Sequence, residues 1–110
     1  MHVKAYSGSL SFDGRAVTIT REGFLARASH GRGEKRIPLK AIQAVQWKDA
    51  GRLTNGFIQF TVAGGVESTA QKGGRTAAAA GDENSVVFTR KQAADVRAFR
   101  DAVQAAMDDL

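Results

Sequence analysis

The sequence predicts an α+β domain: a strongly bent antiparallel sheet, or partly open barrel, of six to seven short strands capped by one C-terminal amphipathic helix. Three observations predict it. Val96, Phe99, Val103, Met107 and Leu110 recur at steps of three, four, four and three, which is one stripe along a helix. Upstream, short runs of alternating apolar and polar residues are separated by Asp-Gly, Glu-Gly and Asn-Gly pairs, the punctuation of antiparallel strands. A chain of 110 residues supplies one core and not two. Residues 1–110 are therefore read as a single domain, with the helix covering the open side of the sheet.

Taken in order, residues 1–7 have little pattern and read as a loosely held lead-in. Leu10 and Phe12 share a face of the first strand, Asp13-Gly14 turns the chain, and Val17 and Ile19 alternate with Thr18 and Thr20 in the next. Glu22-Gly23 turns it again into a third strand over residues 24–28, with Leu25 facing the core. Pro38 has no N–H for a ladder, so the strand around Ile37 lies at an edge or ends there. Residues 40–42 form a single turn that places Ile42 under the sheet, and Val45 and Trp47 alternate in a short strand. Asn55-Gly56 leads into the clearest strand, with Ile58, Phe60 and Val62 inward and Phe57, Gln59 and Thr61 outward. Periodicity then vanishes over residues 63–84, a Gly/Ala-rich excursion read as a flexible loop. Val86 and Phe88 belong to the last strand. Thr89 and Gln92 then form a T-x-x-Q capping box at the helix start, followed by alanine-rich helix without glycine or proline.

The composition excludes several functions. No cysteine is present, so disulfides, thiol catalysis and thiolate metal sites are ruled out. His2 and His30 fall short of the three or four converging ligands that zinc needs, and neither metal nor cofactor is expected. No apolar run reaches the roughly 18–20 residues of a membrane span, and a cytoplasmic location is expected. His30 and Asp49 can be combined with several serines, but no nucleophile elbow frames any of them, and the chain is not read as an enzyme. The glycine clusters at 31–33 and 73–75 lack the strand–turn–helix setting of phosphate-binding loops and read as turns.

Charge is unevenly spread. Residues 1–60 hold ten basic and four acidic side chains, a net of +6, whereas residues 61–110 hold six and seven, a net of −1. The candidate ligand-binding set is the basic group Arg21, Arg27, Arg32, Lys35 and Arg36, with the backbone of Gly31 and Gly33 as further anion donors. No stacking aromatics accompany these arginines. Trp47, the one tryptophan, sits on an apparent core face.

The segment GSLSFDG at residues 8–14, then Val17, Ile19, Arg21, Ile37-Pro38-Leu39, Ile42, Val45 and GFIQF at 56–60, together with the strands-then-helix layout, resemble an actinobacterial domain family of unknown function with a pleckstrin-homology-like (PH-like) fold. The resemblance spans roughly residues 8–105. It implies a bacterial, non-enzymatic interaction module acting through protein–protein contacts or self-association, the relatives being ones that assemble through neighbouring strands. The basic group supports an alternative, a binder of anionic surfaces such as a membrane headgroup or a nucleic acid. The strand at residues 57–62 carries no charge, so its outward residues Phe57, Gln59 and Thr61 are the expected homo-oligomer interface, Phe57 being partly buried there.

Overall fold

A computed structural model describes residues 1–21, 34–62 and 84–110. The strand expected at 24–28, Arg27, Arg32, the glycine cluster at 31–33 and the excursion at 63–83 lie outside the described residues. Seven strands are described: β1 (His2–Lys4), β2 (Gly8–Phe12), β3 (Ala16–Arg21), β4 (Glu34–Pro38), β5 (Ile42–Lys48), β6 (Gly56–Val62) and β7 (Ser85–Phe88). They form two antiparallel sheets, β1-β2-β3-β4 and β5-β6-β7, which are not closed on one another, where the sequence predicts one strongly bent sheet or a partly open barrel. A 3₁₀ turn at Leu39–Ala41 carries the chain from the first sheet to the second. One helix, α1 (Ala93–Asp108), follows a 3₁₀ turn at Arg90–Gln92.

Local chemistry explains most of these boundaries. At the β2–β3 turn, Asp13 Oδ1 accepts from the backbone N–H groups of Arg15 and Ala16, both at 2.8 Å, and Gly14 takes φ 92°. Gly56 works differently. Its φ is not positive, but a Cβ there would stand 2.3 Å from the Lys48 carbonyl oxygen and 2.7 Å from the Phe88 ring. Asn55-Gly56 is thus a point of close packing rather than a left-handed turn. At the helix start the Thr89 N–H donates to Gln92 Oε1 at 2.9 Å, the reciprocal half of the expected capping box.

The lead-in is a strand after all. Val3 lies opposite Leu10, and Val3 and Ala5 are buried, so pairing with β2 orders a segment whose own pattern is too short to read. The main core joins Leu10, Val17, Ile19 and Ile37 of the first sheet to Ile58, Phe60, Val86 and Phe88 of the second. Val96, Phe99 and Val103 of α1 enter it fully buried, and Phe99 meets the ring of Phe12 edge-on at 6.3 Å. Farther along the stripe Met107 is half-buried, and Leu110, past the helix end, is 71% exposed. The sheets are tied at one corner, where the Tyr6 and Ser7 N–H groups donate to the Val87 carbonyl at 2.9 and 3.2 Å and the Val87 N–H donates to Ser7 Oγ at 2.9 Å.

Candidate interaction surface

The described members of the basic set do not converge on one face. Neighbouring strand residues point to opposite sides. Lys35 lies opposite Ile19 and Arg36 opposite Thr18, so Lys35 shares the core side of the sheet and Arg36 the outer side. Arg21, two residues beyond Ile19, is on the side of Lys35 and donates to the Ser85 carbonyl at 3.1 Å. Arg36 lies 3.8 Å from Asp13, both side chains being more than half exposed, which makes a weak pair. The two backbone donors, Arg15 first and then Ala16, hold the Asp13 carboxyl below the usual carboxylate range, with Arg36 adding a smaller pull.

Sheet order also moves the expected interface. β6 is the central strand of the second sheet, paired with β5 on one side and β7 on the other, so it has no open edge. Phe57 and Gln59 do point away from the main core, as their alternation predicts. Yet they are only 3% and 4% exposed within a single chain, and Phe57 clusters there with Val87. The uncharged strip expected on that strand is therefore interior, Thr61 being half-buried at its end. Local alternation tells which way a side chain points. It does not tell which strands flank it, because β7 joins β6 from across a long insertion.

Among the described residues β5 is an edge strand of the second sheet: it pairs only with β6, with a register shift between Ile42 and Ala44, and Gln43 and Ala44 are exposed. Residues 42–47 carry no charge. At the end of this strand lies a feature the sequence reading passed over. Trp47 is half-buried, its ring 4.7 Å from that of Phe88, and the guanidinium carbons of Arg97 and Arg100 stand 5.4 and 4.8 Å from the indole centroid. Asp49 Oδ1 accepts from Trp47 Nε1 at 2.6 Å and from Arg97 at 2.9 Å. The spacing of the two arginines, one helical turn apart, was the available signal. What the sequence could not show was that their turn faces a tryptophan fifty residues away.

Among the described residues no group of three or more His, Asp or Glu side chains converges as a metal site, and no helix is long and apolar enough to cross a membrane. Neither the curated proteins nor the solved structures contain a match to this chain. A family model does match it, over residues 10–104, from β2 nearly to the end of α1. Because that match covers most of the 110 residues, the chain belongs to the family described as domain of unknown function DUF4429.

Proposed function

We propose that this protein is a non-enzymatic, PH-like interaction module that self-associates by strand pairing along β5. One observation carries the reading: β5 has a partner strand on one side only among the described residues, and its stretch 42–47 is uncharged. Unpaired backbone N–H and C=O groups along such an edge are a template for another strand. A second copy offers the same edge, and antiparallel pairing of identical strands makes a closed two-fold contact. Four strands, then three, then a C-terminal helix entering the core support the PH-like part of the reading.

The experiment is light scattering across a concentration series, on the wild type and on Ala44→Lys. Ala44 is exposed within the chain, so the lysine leaves the core untouched and places charge on the edge. The wild type is expected to dimerise at high micromolar concentration, with Ala44→Lys weakening the dimer at least about tenfold. A monomeric wild type overturns the reading. If that monomer instead binds anionic vesicles or DNA and loses them at physiological salt, the alternative of an anionic-surface binder takes its place.

A further inference from the structure

The cluster at the end of β5 is built like a seat for a carboxylate. Trp47 Nε1–H and the Arg97 guanidinium both donate to one oxygen of Asp49, and Arg100, whose Nε and Nη2 donate to Asp101 Oδ1, stands 4.8 Å from the indole centroid. Asp49 is poorly anchored otherwise: its side chain is 75% exposed and it lies past the last strand residue, Lys48. Arg97 is itself 51% exposed. Tryptophan and arginine are the residue types that dominate protein interfaces, because they combine a large apolar face with directed donors. The same hairpin goes on to an exposed Arg52 and to Leu53, which is 98% exposed.

We propose that Trp47 and Arg97 form a docking point for an acidic side chain of a protein partner, and that Asp49 occupies it in the free chain. Asp49 is then an internal competitor: it reproduces the ligand's carboxylate and lowers the fraction of chains ready to bind. A carboxylate suits the seat because an indole N–H and a guanidinium edge both donate and neither accepts. Leu53, farther along the same hairpin, is 98% exposed, and the probe therefore pairs its carboxylates with leucine. The inference does not rest on pairing at β5, and a monomeric chain leaves it standing.

Trp47 is the one tryptophan of the sequence and also lies in β5, so the titration is run in an Ala44→Lys background at low micromolar concentration, where its fluorescence reports the seat rather than strand pairing. The probe is a blocked peptide of alternating Glu and Leu, titrated into the full chain at low salt, with the Gln-Leu peptide and tripolyphosphate as comparisons. The Glu-Leu peptide is expected to shift the Trp47 emission, and the Gln-Leu peptide to leave it unchanged. Asp49→Asn is expected to tighten binding at least about fivefold by exchanging the competing carboxylate for a neutral, weaker acceptor. Arg97→Lys, which keeps the charge and loses the fork, is expected to weaken it at least about tenfold. Arg97→Lys and Asp49→Asn are both conservative surface changes, and circular dichroism checks their fold. Unchanged affinity in Asp49→Asn overturns the proposal, as does equal binding of the Gln-Leu peptide. Tighter binding of tripolyphosphate than of the Glu-Leu peptide overturns it as well, and makes the seat a phosphate site.

Discussion

The two sheets end differently. Of the edge strands, β4 closes one side of the first sheet, opposite β1, and among its five residues Glu34, Lys35 and Arg36 are charged and Pro38 cannot donate. β5 is the edge of the second sheet opposite β7, seven residues whose single charge is Lys48 at the end. Charge and proline on an edge strand block pairing with another chain, and β4 carries both. Among the described residues β5 has the register shift near Gln43 and, at its end, Lys48. The contrast is the one that the proposed pairing requires: charge and proline guard β4, and the stretch 42–47 of β5 carries neither.

The largest effect tests whether both edges belong to one body. Phe99 of α1 is fully buried among residues of both sheets. Phe99→Ala is expected to cost about 3–5 kcal/mol in chemical denaturation, in one cooperative transition. A cost below about 1 kcal/mol would mean that the helix is not a shared support.

Reversing the edges comes next. Arg36→Val combined with Pro38→Val removes the protection of β4. In an Ala44→Lys background, where β5 is blocked, it is expected to restore association with a gain of at least about tenfold, which is 1.4 kcal/mol. A variant that stays as dispersed as Ala44→Lys alone would show that edge chemistry does not govern this chain.

The outer face of the second sheet gives a smaller effect. Ser85 Oγ is fully buried with no hydrogen-bond partner among the described residues, on the side of β7 that faces the same way as Gln59. An unsatisfied buried hydroxyl costs free energy, so Ser85→Ala is expected to raise stability by about 1 kcal/mol. Destabilisation by that amount would place the hydroxyl in a bond, and the interior character of this face would need another explanation.

Acid gives the smallest effect. Asp13 has its carboxyl pKa lowered in the folded chain by the backbone donors of its turn. A depressed folded pKa means that the contribution is present above the unfolded value, near pH 4, and is lost as pH falls through the lower folded one. Asp13→Asn is therefore expected to flatten the acid limb of the stability curve. An unaltered limb would assign the acid dependence to other carboxylates.

Much of this fold is legible in the sequence because it is local. The Thr89–Gln92 cap, the buried stripe Val96–Phe99–Val103, the Asp13-Gly14 turn and the alternation in β6 all depend on neighbours within a few residues. What was not legible depends on distant pairing. β1 is ordered by β2, β6 loses its edges to β5 and β7, and Trp47 acquires Arg97 and Arg100 from a helix beyond the insertion. Lys35 and Arg36 read as one patch because they adjoin in sequence, yet strand geometry sends them to opposite faces. The Trp47 seat was missed for the same reason as the β5 edge: both are defined by what stands beside a strand.

Amide hydrogen exchange at low and at high protein concentration tests the difference between the two edges most directly. Pairing of a second chain along β5 predicts that protection over residues 42–47 rises with concentration while protection over Glu34–Pro38 does not change. Equal exchange at both concentrations over residues 42–47, or a rise confined to β4, would contradict the account.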